Sequence, residues 1–184
     1  MSDLTKTTNT LEEQKKQLRR TSSLRELLAK ANQKRTILAL DTSGSMSSLC
    51  QNGRTRAENL RDAIKDLPDM PCVTFGQGVT LFESQSLAST EPGGGTPLTE
   101  AIKLAKDNGY SHLIIVTDGQ PNDPAGALRE AMDLKIDAIY VSDPPIPQFL
   151  ITLTGGQVNN IRVDSLTFTK ELTSAIKGLI GGTV

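Results

Sequence analysis

Three separated segments of this 184-residue chain gather side-chain oxygens. Asp41-Thr-Ser43-Gly-Ser45-Met46 follows one apolar run, and Asp118-Gly-Gln-Pro-Asn-Asp123 follows another. Between them, Glu91-Pro-Gly-Gly-Gly-Thr96-Pro-Leu98 sets a threonine after three glycines, which let a backbone approach closely. Asp41, Ser43, Ser45, Thr96 and Asp118 thus offer two carboxylates and three hydroxyls. Such a hard-oxygen set suits Mg²⁺ or Mn²⁺, with waters completing an octahedral shell. Zinc fits it poorly, because zinc favours nitrogen and sulfur. His112 is the single histidine, and Cys50 and Cys72 stand apart without CxxC spacing. A multi-histidine centre and a zinc or redox thiol pair are thereby excluded.

The same residues have plainer uses. Asp and Ser are favoured at helix N-caps and in turns, so Asp-x-Ser-x-Ser can serve local structure alone. The glycine run could approach a phosphate, but it lacks the lysine and spacing of a P-loop. Asp41 could accept a phosphoryl group as in Asp-dependent phosphatases, although those resemble Asp-x-Asp and Ser43 stands at the second position. Ser45 lacks the Gly-x-Ser-x-Gly elbow of a hydrolase. His112 reads as a structural residue at a strand start, the two cysteines as small buried apolar side chains, and Asp123 and Asp143 as solvated loop acids.

Strands and helices must bring the three segments together. Thr36-Ile-Leu-Ala-Leu-Asp41, His112-Leu-Ile-Ile-Val-Thr-Asp118 and Ile136-Asp-Ala-Ile-Tyr-Val-Ser142 are short apolar runs without alternation, the pattern of strands buried on both faces of a parallel sheet. Cys72-Val-Thr-Phe75 and Val79-Thr-Leu-Phe82 flank Gly76-Gln-Gly78 and predict a hairpin near a sheet edge. Residues 160–163 predict a last strand. Helical spacing covers 55–67, 97–108, 124–134 and 166–180, with a weaker helix over 145–153; the second opens on Pro97 and stops at Gly109. Strands alternating with such helices predict an α/β fold, a doubly wound and mainly parallel central sheet flanked by helices. In that architecture ligands bind beyond the C-terminal ends of the strands.

The charge is unevenly spread. The chain carries 20 Lys+Arg against 21 Asp+Glu, yet residues 1–35 hold nine against four and the remainder eleven against seventeen. Capping boxes at Thr10/Glu13 and Ser23/Glu26 predict helices over 11–20 and 24–33, so residues 1–35 form a basic helical extension ahead of a domain over 36–184. Near-neutral net charge gives no general attraction to nucleic acid, and no apolar run reaches the ~20 residues of a membrane span. The N-terminus lacks the apolar core of a secretory signal, which sets the expectation of a cytoplasmic protein with both thiols free.

Taken together, Asp41-x-Ser43-x-Ser45, Thr96 after its glycine loop, and Asp118-Gly after a buried strand resemble the metal-ion-dependent adhesion site of a von Willebrand factor A (VWA) domain. The resemblance runs from about Thr36 to the C-terminus and holds at all five positions. It implies a Rossmann-like fold in which Ser43, Ser45 and Thr96 contact Mg²⁺ or Mn²⁺ through their hydroxyls and Asp41 and Asp118 hold it directly or through water. It also implies that an acidic residue of a protein partner completes the metal's coordination, in a binding module with no catalysis of its own. Intracellular members of the family often act beside AAA+ ATPases or in multiprotein assemblies. Two other functions stay open: a scaffold that binds through its basic N-terminal helices around a structural metal, and an Asp-dependent phosphatase.

Overall fold

The computed structural model describes residues 36–83 and 91–181. The expected N-terminal extension and its two helices lie outside the described residues. Six strands form one sheet: β1 (Thr36–Asp41), β2 (Pro71–Phe75), β3 (Val79–Glu83), β4 (His112–Thr117), β5 (Lys135–Tyr140) and β6 (Val158–Asn160). Their spatial order is β3-β2-β1-β4-β5-β6. All neighbours are parallel except the β2–β3 hairpin, whose turn closes through Gly76 N–H donating to the Gly78 carbonyl.

The apolar runs lack alternation because both sheet faces are covered. On one face Leu38, Leu40, Ile114 and Val116 pack against α1 (Arg56–Lys65) and α5 (Phe168–Gly181), through Leu60, Ile64, Phe168, Leu172 and Ile176. On the other, Ile37, Ala39, Leu113 and Ile115 meet α2 (Leu98–Asp107), α3 (Pro124–Glu130) and α4 (Gln148–Leu153), through Leu98, Ile102, Ala127 and Leu150. Successive strand residues alternate between these clusters with the period of a pleated strand. Burying each such Leu or Ile is worth about 1.5–3 kcal/mol, so the two clusters fix the strand ends from which the loops depart.

Three helix starts have a local cause. The side chain of Thr55 accepts from Glu58 N–H at 3.1 Å while Glu58 Oε2 accepts from Thr55 N–H at 2.7 Å, a reciprocal capping box. Pro97 precedes α2, and Gly109 follows it at φ +75°, the left-handed conformation that ends helices. Asp123 caps α3 by accepting from Gly126 N–H at 2.9 Å, ahead of Pro124 at the first helical position.

Three predicted boundaries move by three residues or more, the others by two at most. α3 ends at Glu130 rather than 134, because residues 131–134 close as turns with Met132 facing solvent. α4 begins at Gln148, not 145; Pro147 precedes it, and proline disfavours helix at the residue before it. The last strand is Val158–Asn160, not 160–163. Its ladder extends only to Ile161 N–H, which donates to Tyr140, and the chain then turns so that the Val163 carbonyl accepts from Gln51 N–H.

Candidate metal centre

The chain passes from β1 through β2 to β3 on one side and then from β4 through β5 to β6 on the other. β1 and β4 are therefore the strands between which the winding reverses, the place where open α/β sheets bind ligands. Asp41 ends β1, and Thr117 ends β4 with Asp118 next. Thr117 Oγ1 donates to Asp41 Oδ2 at 2.5 Å, and Ser43 N–H donates to Oδ1 at 2.8 Å. Asp41 is wholly buried. Burial pushes its pKa up to about 6, with the negative charge of Asp118 acting in the same sense, although hydrogen bonds from Ser43 and Thr117 favour the ionised form.

After Asp41 the chain enters a short 3₁₀ turn, Gly44–Ser47, anchored by the buried Met46. Ser43 stands at the turn's N-cap position, but its side chain makes no capping bond. Its Oγ instead lies 3.0 Å from Ser45 Oγ, and Ser45 Oγ donates to Asp118 Oδ1 at 2.7 Å. A hydroxyl has one proton. Since that of Ser45 is given to Asp118, the Ser43 proton is directed either to Ser45 or to the Asp41 carboxylate. The protons thus run toward a carboxylate, and hydroxyl lone pairs are left for another group. The other Asp118 oxygen, Oδ2, is ion-paired with Arg56, whose Nη2 also donates to Ser142 Oγ at 3.2 Å.

Thr96 reaches this rim by a different route. Gly93 N–H donates to the Thr42 carbonyl at 2.9 Å, and Gly44 N–H donates to the Gly94 carbonyl at 3.2 Å. Thr96 N–H donates to Asn122 Oδ1 and the Thr96 carbonyl accepts from Asn122 N–H, both at 3.0 Å. The glycine loop is thereby tied to the segments that follow β1 and β4. Two glycines make this closure possible. A Cβ on Gly76 would lie 2.4 Å from the Thr42 carbonyl oxygen, and Gly94, at φ +71°, has room for none beside Gln77. The Thr96 hydroxyl itself has no hydrogen-bond partner among the described residues.

Of the five residues singled out in the sequence, four are linked by direct hydrogen bonds and the fifth sits on a loop bonded to both neighbouring segments. Among the described residues, no three of His, Cys, Asp and Glu gather in one place. A cation at this rim would accordingly be held by hydroxyls and at most two carboxylates, the composition anticipated for Mg²⁺ or Mn²⁺. Sequence reasoning missed Thr117, Asn122 and Arg56. Thr55-x-x-Glu58 was the available signal for where α1 starts, and so for where Arg56 lies. Asp123 is exposed, as a solvated acid would be, and also caps a helix, and Cys50 and Cys72 are buried free thiols.

No family model matches the chain, and no curated protein sequence is significantly similar to it. Solved structures do match. A von Willebrand factor type A structure from Catenulispora acidiphila superposes with a TM-score of 0.58 at 18% identity, over 76% of this chain and 41% of that one. The chain therefore spans less than half of that relative's length. The manganese-loaded TRAP protein of Plasmodium vivax matches with a TM-score of 0.55 at 19% identity, over 81% of this chain and 74% of that one. The conserved hypothetical protein BatB from Bacteroides thetaiotaomicron matches with a TM-score of 0.51 at 20% identity, over 79% and 98%. The chain has the Rossmann-like fold of a von Willebrand factor A domain.

Proposed function

We propose that the chain is a metal-dependent protein-recognition module. The observation that carries this reading is the run of hydrogen bonds from Ser43 through Ser45 to Asp118, at the switch point of a VWA fold. Ser43, Ser45 and Thr96 would hold Mg²⁺ or Mn²⁺ through their hydroxyl oxygens, and Asp41 and Asp118 would hold it directly or through water. When bound, such an ion supplies an electrophilic position that an Asp or Glu of a partner protein can fill. The donor set fits: the Ser43 and Ser45 protons have acceptors within the cluster, and the Thr96 hydroxyl has no partner among the described residues. Asp41 secures the loop through Ser43 N–H, and Thr117 orients Asp41 from the neighbouring strand. The manganese-loaded TRAP neighbour, which shares this fold, supports the choice of cation. Asp41 is enclosed, with both oxygens engaged. That favours a positioning carboxylate over a nucleophile and speaks for binding over phosphoryl transfer.

Calorimetric titration with Mn²⁺ tests the metal, and retention of a partner from cell extract in Mg²⁺ but not EDTA tests the recognition. Wild-type protein is expected to bind one Mn²⁺, and Ser43→Ala to bind at least about tenfold more weakly. A partner held equally well in EDTA, or by Ser43→Ala, would move the function to another surface.

A further inference from the structure

The residue that completes the Asp118 environment is a cation of the protein's own. Arg56 is the first residue of α1, held there by the Thr55/Glu58 capping box. A positive side chain is unfavourable at that place, since the helix dipole puts partial positive charge at the N-terminus. The guanidinium is also largely withdrawn from water, with 14% of its side-chain surface exposed, and its Nε is buried without a hydrogen-bond partner among the described residues. Two of its nitrogens find Asp118 and Ser142. An arginine held against a helix dipole, with one donor unsatisfied among the described residues, keeps its place through the negative charge of Asp118.

That charge belongs to one of the two carboxylates of the proposed metal centre. We propose that Arg56 is an internal competitor for the cation: it neutralises Asp118 in the metal-free protein and gives up that carboxylate when a divalent ion binds, so that Arg56 sets the metal affinity. The inference rests on the metal-dependent reading above. Two cations cannot share Asp118 without mutual repulsion in so enclosed a place. The Asp118 oxygen bonded to Ser45 stays engaged, so the contact to yield is the Arg56 ion pair. On release the guanidinium is expected to turn toward water, where its Nε gains a partner.

Mn²⁺ titration of wild type and Arg56→Gln, with thermal unfolding of each in EDTA and in saturating Mn²⁺, tests this. Arg56→Gln is expected to bind Mn²⁺ about tenfold or more tightly than wild type, because one opposing unit charge is gone. It is also expected to melt below wild type in EDTA, where Asp118 has lost its partner, and to close that gap in Mn²⁺. Equal or weaker Mn²⁺ binding by Arg56→Gln, with wild type still binding, overturns the competition and leaves the metal reading standing. Absence of Mn²⁺ binding in both proteins overturns both. A measurement on wild type avoids any folding defect of the variant: the Arg56 Nε–H resonance is expected to shift on adding Mg²⁺, and an unmoved resonance at saturation overturns the release of Arg56.

Discussion

At the edge where the parallel strands begin, His112 is fully enclosed, with Nδ1 3.1 Å from Thr36 Oγ1 and Nε2 2.7 Å from Asp137 Oδ2. Lys135 reaches the same Asp137 oxygen at 3.0 Å. Burial alone would raise the Asp137 carboxyl, but hydrogen bonds from Lys135 and His112 outweigh it and hold that pKa below its usual value. At the opposite edge, where β1 and β4 end, burial prevails and Asp41 is pushed up to about 6. One end of the sheet settles its charge with the chain's own groups. The other keeps a carboxylate that is costly to ionise and, among the described residues, a hydroxyl without a partner and an arginine with an orphaned nitrogen. β4 is buried along its whole length, so for the strand that carries both His112 and Thr117 the difference lies in the groups that meet at each end. A closed cluster is a structural device, whereas an unsettled one is where an external ion has most to gain.

The largest effect that separates the two edges is expected at the closed one. Asp137→Ala removes the carboxylate that both His112 Nε2 and Lys135 Nζ contact, and should cost about 3–4 kcal/mol in urea unfolding. The same loss is expected in EDTA and in Mn²⁺. A loss that shrank on adding Mn²⁺ would mean that the two edges are coupled, and the contrast would break.

Acid should separate the edges in sign. Asp41 ionises near 6 in the fold and near 3.8 when unfolded. Between those values the folded chain holds a proton that the unfolded chain has released, so lowering the pH stabilises the fold. Over the full window this amounts to about 2–3 kcal/mol. Asp137 works the other way: its depressed pKa contributes stability present above its ordinary value and lost as the pH falls through the folded one. Unfolding in EDTA from pH 7 to pH 4 should therefore show wild type gaining stability relative to Asp41→Asn, since the carboxylates with lowered pKa are common to both. Parallel curves for the two proteins would mean that Asp41 is not held protonated by its burial.

Much of this contrast was legible beforehand. Unbroken apolar runs ending in Asp41 and Asp118 located two central strands and the edge where they open, because a strand covered on both faces has no polar side to interrupt its pattern. Hydroxyls two residues apart after Asp41 marked the loop. Arg56 was not legible: it meets Asp118 across 62 positions in the chain, and only the three-dimensional placement of α1 brings them together. Thr117 was hidden inside a run read as uniformly apolar, although threonine suits a strand and can still present its hydroxyl at the end. The last strand slipped because Ile161 and Val163 carry the apolar signal, whereas backbone pairing to β5 is set by Val158 to Asn160.

The smallest expected change in stability is at Thr96, where the distinction between the edges is sharpest. Its backbone N–H and carbonyl, both bonded to Asn122, hold the loop in place, and a substitution that spares the backbone leaves those bonds intact. Thr96→Val removes only the hydroxyl and preserves the branched shape. Since that hydroxyl has no partner among the described residues, its loss should alter stability in EDTA by no more than about 0.5 kcal/mol. Mn²⁺ affinity should nonetheless fall by about tenfold or more if the oxygen belongs to the coordination shell. No residue of the closed edge should behave in this way, because each of its polar groups has a partner whose loss registers as instability. If Thr96→Val lowered stability in EDTA and left Mn²⁺ binding unchanged, Thr96 would be a structural residue like His112, and the ion would have to be held by Ser43, Ser45 and the two carboxylates without it.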